Sequence, residues 1–167
     1  WLLSAALLLL PGKADAANNK KPFVIPELQE WRGSQGMFTP TATSRIVYTG
    51  KDPSVVRVAN QFADDYALMF GRRMMVVQGR AAAGDFVFSL SSDSRLGEEG
   101  YTMKITDRVT VTAPKSKGLY WATRTLLQLT ELQGNQALPK GTARDYPDYA
   151  IRGFMMDCGR KFIPMSM

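Results

Sequence analysis

The fold of this chain is decided by residues 101–113, which read YTMKITDRVTVTA. Apolar residues alternate with polar ones along residues 101–106, and the alternation resumes along residues 108–113 after a turn at Asp107. A period of two places the apolar side chains on one face of a strand, and so short a turn joins the two strands antiparallel. The stretch therefore predicts a β-hairpin with one face buried in a core.

Two amphipathic helices flank this hairpin. The first begins where Asp52 caps the helix ahead of Pro53, and it ends at Gly71. The second runs from about residue 116 to residue 132 and closes at Gly134. Each has an inner face whose residues recur at spacings of three and four. These faces are Val55, Ala59, Phe62, Ala63, Tyr66, Met69 and Phe70 in the first helix, and Leu119, Ala122, Thr123, Leu126, Leu127 and Thr130 in the second.

Further strands are predicted before and after the first helix. A hairpin is expected with its turn at Gly33–Gly36. Clustered strands with two intervening helices indicate an α+β domain over residues 22–140, a small antiparallel or mixed sheet that carries both helices on one face. The other strands are expected at residues 45–49, 73–77 and 85–90.

The pattern changes after residue 140. Residues 142–149 are rich in proline and aspartate, which predicts a connector, and the continuous apolar run Ile151–Asp157 predicts a buried strand after it. A buried strand needs neighbours to pair with, and only ten residues follow this one. We therefore expect an α+β domain over residues 18–146, and at residues 147–167 the start of a second, truncated domain.

The N-terminal residues resemble an export signal. An apolar run at Leu2–Leu10 precedes the Ala14-Asp15-Ala16 stretch, which is typical of a secretory signal peptide whose basic start is missing. The run falls short of the roughly 20 apolar residues that span a membrane. We expect residues 1–17 to be this signal, with cleavage after Ala16 or Ala17, no membrane span in the mature chain, and a periplasmic or extracellular location.

Composition excludes several classes of chemistry. Among the 167 residues there is no histidine, so a histidine-based catalytic triad or metal site is excluded. The single cysteine, Cys158, lies in an apolar run and forms no internal disulfide. The net charge of +6 comes from scattered lysines and arginines without interleaved aromatics, which disfavours nucleic-acid binding. We expect no metal and no cofactor.

Two stretches resemble family-20 glycoside hydrolases, the β-N-acetylhexosaminidases. The first is similar to the non-catalytic N-terminal domain that precedes the catalytic barrel in that family. The second is similar to the first strand of that family's (β/α)₈ TIM barrel, with Lys161 where many relatives have histidine. The first stretch comprises Glu99–Ile105, Val109–Ala113, Gly118–Ala122 and Thr125–Leu129, and the second comprises Asp145–Asp157 and Gly159–Phe162.

The resemblance implies an exported exo-β-N-acetylhexosaminidase that removes terminal N-acetylglucosamine or N-acetylgalactosamine from glycans. Hydrolysis in the family is substrate-assisted and retaining, with an adjacent Asp-Glu pair on a later barrel strand. That pair is absent here, so the chain alone is expected to be inactive. The acidic pairs Asp64-Asp65 and Glu98-Glu99 are expected to be solvated surface charge.

Arg152 is the one residue to which the resemblance gives a site role. It matches the family arginine that hydrogen-bonds hydroxyls of the non-reducing sugar, for which the planar guanidinium offers five donors. A structural ion pair between Arg152 and Asp157 is the competing interpretation. Asp157 and Arg160 are expected to be structural.

Two other functions remain open at this level. The chain could be a stand-alone carbohydrate-binding or interaction domain that keeps only the front fold. It could also be the front domain of another carbohydrate hydrolase, such as an α-glucuronidase or an O-GlcNAc-type hydrolase.

Overall fold

A computed structural model describes residues 18–132, 134, 136–155 and 159. The predicted signal peptide at residues 1–17 and the residues Asp157, Cys158, Arg160 and Lys161 lie outside the described part. No helix among the described residues is long and apolar enough to cross a membrane. The elements in chain order are β1 (Glu30–Phe38), β2 (Arg45–Tyr48), α1 (Pro53–Phe70), β3 (Met75–Gln78), β4 (Phe86–Leu90), a short 3₁₀ helix (Ser94–Leu96), β5 (Tyr101–Ile105), β6 (Val109–Ala113), α2 (Ser116–Leu132) and β7 (Leu138–Asp145).

The strands form one mixed sheet of seven in the order β1-β7-β5-β6-β4-β2-β3. The hairpin predicted from residues 101–113 is the β5–β6 pair, in which Met103 lies opposite Val111 and Ile105 opposite Val109. On one side of this hairpin β7 and β1 continue antiparallel. On the other side β4, β2 and β3 continue parallel. Each parallel connection needs a crossover, and α1 supplies the one between β2 and β3.

Both helices pack on the same face of the sheet, which confirms the expected small α+β sheet with two helices. Asp52 accepts a hydrogen bond from the Ser54 backbone at the start of α1, and Gly71 ends the helix with a left-handed φ of 73°. The Phe62 ring from α1 lies 5.6 Å from the rings of Phe86 and Phe88 on β4. All three side chains are buried, and each contributes about 2 kcal/mol to the hydrophobic stabilisation of the fold.

The hairpin expected around Gly33–Gly36 is wrong, because residues 30–38 form one strand that pairs with β7. The register between β1 and β7 shifts between Gly33 and Met37, which marks a β-bulge. Asn19 stabilises the bulge, because its side-chain amide donates to the carbonyl oxygens of Ser34 at 2.6 Å, Gly36 at 2.7 Å and Lys140 at 3.0 Å. Of the two glycines that suggested a turn, Gly33 accommodates the close approach of the Asn19 backbone, and Gly36 has a positive φ of 85°.

The connector predicted at residues 142–149 begins later than expected, because residues 142–145 belong to β7. This strand pairs with β1 on one side and β5 on the other. Its sequence, LPKGTARD, has no aromatic residue and only one β-branched residue, Thr142, so it lacks the composition that usually indicates a strand. Gly141 is required by a close approach, since a Cβ atom there would lie 2.5 Å from the Trp31 ring. Pairing on both edges therefore makes this segment a strand in spite of its composition.

The described part of the predicted strand Ile151–Asp157 is not a strand. Residues 151–155 have no regular structure, and the side chains of Ile151, Phe154 and Met155 are exposed. A buried parallel strand requires hydrogen-bonded neighbours on both edges, and no described strand pairs with this segment. The assignment of this segment to a catalytic barrel is not confirmed.

Candidate functional site

A groove lies beside α2 where the chain leaves the sheet. It has a volume of about 480 Å³ and is lined by the N-terminal lead-in, the outer face of α2 and the segment that follows β7. Aromatic rings of Trp121, Tyr146 and Tyr149 line it together with polar side chains such as Gln29 and Asp148. We call it the connector groove. Its size is within the range of ligand pockets, and it contains the predicted site residue Arg152.

Arg152 forms two contacts within the connector groove. One guanidinium nitrogen donates to the Tyr149 carbonyl oxygen at 2.5 Å, and the other pairs with the carboxylate of Glu99. Asp157, the partner suggested by the competing interpretation, lies outside the described residues. The acidic partner of Arg152 in the groove is thus Glu99, which the sequence did not indicate. A role of Arg152 in binding sugar hydroxyls stays a prediction.

Each of the two acidic pairs expected to be surface charge, Asp64-Asp65 and Glu98-Glu99, has one exposed and one half-buried member. Asp64 and Glu98 are exposed and pair with a neighbouring arginine and lysine, which fits the expectation. Asp65 and Glu99 are half-buried, Asp65 against Arg124 at 2.5 Å and Glu99 against Arg152. The expectation was wrong for these two because their basic partners are distant in sequence.

A buried polar network closes the inner wall of the groove. The Tyr101 hydroxyl donates to Asp145 Oδ2 at 2.9 Å and lies 2.7 Å from the Thr125 hydroxyl. The other carboxylate oxygen, Asp145 Oδ1, accepts the Gln29 backbone N–H at 3.0 Å. Burial, and then the adjacent Asp145 charge, raise the pKa of Tyr101 well above its ordinary value, so the hydroxyl stays neutral. Asp145 thereby joins β5, β7 and the lead-in at one point.

Two side chains on the outer face of α2, Gln128 and Arg124, bind to other segments of the chain. Gln128 accepts the Ile25 N–H and donates to the Ile25 carbonyl, both at 2.9 Å, which holds the lead-in across the helix. Arg124 is bound by Asp65, and its guanidinium lies 4.7 Å from the centre of the Tyr120 ring. Sequence reasoning assigned the buried face of α2 but not these outer residues.

The chemistry open to the connector groove depends on which of its carboxylates are already hydrogen-bonded. Asp145 and Glu99 already accept hydrogen bonds from Tyr101, Gln29 and Arg152. A glycosidase acid needs a carboxyl free to reach the leaving oxygen of the substrate. Within the described part of the chain no group of three or more acidic or thiol side chains could hold a metal ion. The groove is therefore lined by aromatic rings and polar side chains, and the carboxylates of Asp145 and Glu99 are already engaged.

Comparisons with known proteins agree on one family. The model for glycosyl hydrolase family 20, domain 2, matches residues 21–146. A beta-N-acetylhexosaminidase of Cellulomonas fimi is 32% identical to the chain over 133 residues, and the alignment covers 77% of the chain and 27% of that protein.

Solved structures give the same result for the fold. A mutant β-hexosaminidase of Streptomyces plicatus in complex with its product N-acetylglucosamine superposes with a TM-score of 0.73 at 26% identity, over 90% of this chain and 31% of that one. The GH20 β-N-acetylhexosaminidase of Streptomyces coelicolor gives a TM-score of 0.66 at 25% identity, over 83% and 29% of the two chains. The chain thus spans 27% to 31% of the length of these relatives.

Proposed function

The chain belongs to glycosyl hydrolase family 20, and we propose that it is the domain-2 part of a longer, exported exo-β-N-acetylhexosaminidase. The observation that carries the proposal is the family match over residues 21–146, which includes every strand and both helices of the sheet. The chain covers only a small share of each relative. This supports placing the catalytic part elsewhere along the same, longer polypeptide. The apolar run and Ala-x-Ala stretch at residues 1–17 support export.

The proposed substrates are glycans that end in N-acetylglucosamine or N-acetylgalactosamine. The S. plicatus relative was solved with N-acetylglucosamine as its product, which supports this class. The proposed reaction is retaining and substrate-assisted: the acetamido oxygen of the sugar attacks its anomeric carbon while a glutamic acid protonates the leaving oxygen. The Asp-Glu pair for this step would lie in the catalytic part, and Arg152 would bind hydroxyls of the terminal sugar.

The other two candidate functions receive less support. The relatives named above are hexosaminidases, which favours this activity over that of an α-glucuronidase. No observation specifically favours a stand-alone binding domain.

The longer protein tests the proposal directly. We expect it to release nitrophenol from nitrophenyl N-acetylglucosaminide or N-acetylgalactosaminide but not from the glucuronide. Arg152→Ala should raise KM about tenfold, because a charged donor to the bound sugar is lost. Arg95→Ala is the matched control, since Arg95 is exposed and pairs only locally with Asp93. Activity on the glucuronide alone would overturn the assignment, and an unchanged KM for Arg152→Ala would favour a structural role for that residue.

A further inference from the structure

We infer that the face of the sheet opposite the helices binds an anionic polysaccharide, one whose sugar units carry carboxylate groups. We call this surface the basic sheet face, and it consists of Arg32, Thr102, Lys104, Thr110, Lys140 and Thr142. None of these six residues lines the connector groove. The choice of a glycan among polyanions rests on the proposed function, whereas the charge of the surface does not.

Pairing between the strands places these side chains on one surface. Lys104 lies opposite Thr142 on β7 and opposite Thr110 on β6. Thr142 in turn lies opposite Arg32 on β1. Met103, which precedes Lys104 along β5, is buried in the core on the side of the helices. Because successive side chains of a strand point to opposite faces, Lys104 and its cross-strand neighbours project away from the helices.

The basic sheet face carries charge that the described chain does not compensate. Lys140 follows the alternation of β7 onto the same face as Arg32 and Lys104. The acidic neighbour on β1, Glu30, already pairs with Arg144 at 2.8 Å. Within the described residues, Arg32, Lys104 and Lys140 form no ion pair. The surface therefore has three positive charges available to an anionic ligand.

Threonine hydroxyls lie between these charges. Thr110 and Thr142 are directly opposite Lys104 on the two neighbouring strands, and Thr102 is two positions from it along β5. A threonine hydroxyl can donate one hydrogen bond and accept two, which suits the hydroxyls of a sugar. Its β-branched side chain has few rotamers, so little conformational entropy is lost when a ligand binds.

The composition of this face favours a glycan over other polyanions. Surfaces that bind single-stranded nucleic acid combine basic side chains with aromatic rings on which bases stack, and the positions around Lys104 carry threonine instead. Anionic membrane surfaces attract clusters of about four to eight basic residues, and this face has three that are unpaired. A polysaccharide with one carboxylate per sugar has a lower charge density. Arg32 and Lys104, two strands apart, are separated by roughly 10 Å, which suits such spacing.

A cavity of about 350 Å³ extends the basic sheet face beyond the end of β5. Lys140 lines it together with the hydroxyl-bearing residues Thr39 and Thr106. Asp107 also lines it, and its carboxylate pairs with Arg108 at 3.3 Å. The volume is within the range of ligand pockets. The face thus combines a flat charged area with a recess that contains hydroxyl groups, an arrangement that suits a chain of linked sugars.

Binding to polygalacturonate tests the inference, with the fully methyl-esterified polymer as the matched ligand. Both polymers have the same sugar backbone, and only the first carries free carboxylates. By titration calorimetry we expect the chain to bind polygalacturonate about thirtyfold more tightly than the ester, because three charge pairs are lost with the ester. The affinity should fall as salt is added. Equal binding of the two polymers, or tighter binding of duplex DNA or anionic lipid vesicles, would overturn the proposal.

Substitutions locate the site on the sheet. Arg32→Ala, Lys104→Ala and Lys140→Ala should each weaken the binding of polygalacturonate about threefold, and the three together about thirtyfold. These side chains are exposed or half-buried and form no ion pair within the described residues. The variants should therefore unfold at the same denaturant concentration as the unchanged chain.

The matched control removes the same amount of charge near the starts of the two helices. It is the triple alanine variant of three exposed basic residues, Lys51, Arg57 and Lys115. This variant should bind polygalacturonate as tightly as the unchanged chain. An equal loss of affinity in the two triple variants would show that net charge alone attracts the polymer, and it would overturn the proposal.

The longer protein separates this inference from the proposed function. It should bind polygalacturonate as tightly as the present chain does, and a loss of binding there would overturn the inference. Hexosaminidase activity is measured on the same sample. Binding without that activity would contradict the proposed function while supporting the assignment of the basic sheet face.

Discussion

Tyr101 illustrates how one side chain can serve two parts of the molecule. Its ring is buried in the core between the sheet and α2, and its hydroxyl contacts Asp145 at the point where the chain leaves β7. Burial of the hydroxyl disfavours its ionised form, and the adjacent Asp145 charge disfavours it further, so the pKa of Tyr101 is raised. The residue therefore couples core packing to the geometry of the connector groove.

This coupling predicts how stability depends on alkaline pH. A raised folded-state pKa means that the contribution of Tyr101 is complete below the unfolded value of about 10 and is lost as the pH rises beyond it. Tyr101→Phe should therefore lower the free energy of unfolding by about 1 kcal/mol near neutral pH, through the lost hydrogen bonds, and should weaken the decline above about pH 10. Urea titrations near neutral pH and above about pH 10 measure the free energy of unfolding of both proteins.

Some alkaline decline should remain in that variant, because burial also raises the pKa of Tyr66. Tyr149→Phe, on an exposed ring, is the matched control. An equal decline in Tyr101→Phe and the unchanged protein would contradict the buried-hydroxyl interpretation.

At the scale of the elements, the shape of β1 depends on contacts with the lead-in. Its bulge exists because Asn19, in the lead-in, satisfies carbonyl groups that the β1–β7 ladder leaves open. Gly33 permits this, since a Cβ atom there would lie 1.8 Å from the Asn19 carbonyl oxygen. By contrast, α1 carries its own caps at Asp52 and Gly71.

Gly33→Ala should therefore destabilise the domain by about 2 kcal/mol, because Asn19 must move and its hydrogen bonds to β1 and β7 are lost. Gly71→Ala is a matched control in which the new Cβ meets open space and only the left-handed backbone is strained. It should cost about 1 kcal/mol. Denaturant unfolding compares the two, and equal losses would show that the contact with Asn19 does not set the cost at Gly33.

At the scale of the whole molecule, the two helices lie together on one side of the sheet. The outer side of the helices exposes apolar side chains such as Met69, Trp121 and Leu132. Two carboxylates of the connector groove, those of Asp145 and Glu99, are engaged in hydrogen bonds, and Asp148 also lines the groove.

The chain alone should not hydrolyse N-acetylhexosaminides. Nitrophenol release from nitrophenyl N-acetylglucosaminide by residues 18–167 should equal the rate without protein, because the proposed mechanism uses an Asp-Glu pair in the catalytic part of the longer protein. A commercial hexosaminidase serves as the positive control. Measurable turnover that is retained on repeated purification would contradict the proposal that catalysis resides in the longer protein.

The amino-acid sequence alone determined the elements whose signal lies within a few residues. The β5–β6 hairpin follows from alternation around Asp107, and both helices follow from apolar spacing and their end residues. The family resemblance also came from these local patterns. Such features are predictable because the side chains that define them are neighbours in the chain.

Only the tertiary structure decided the features that join distant residues. Asn19 meets Lys140 across 121 positions, Ile25 meets Gln128 across 103, and Glu99 meets Arg152 across 53. The bulge in β1, the strand β7 and the half-burial of Asp65 and Glu99 all depend on such contacts. No local pattern encodes them, because whether a glycine forms a turn or accommodates a neighbour, or a carboxylate is solvated or paired, depends on what the completed fold places beside it.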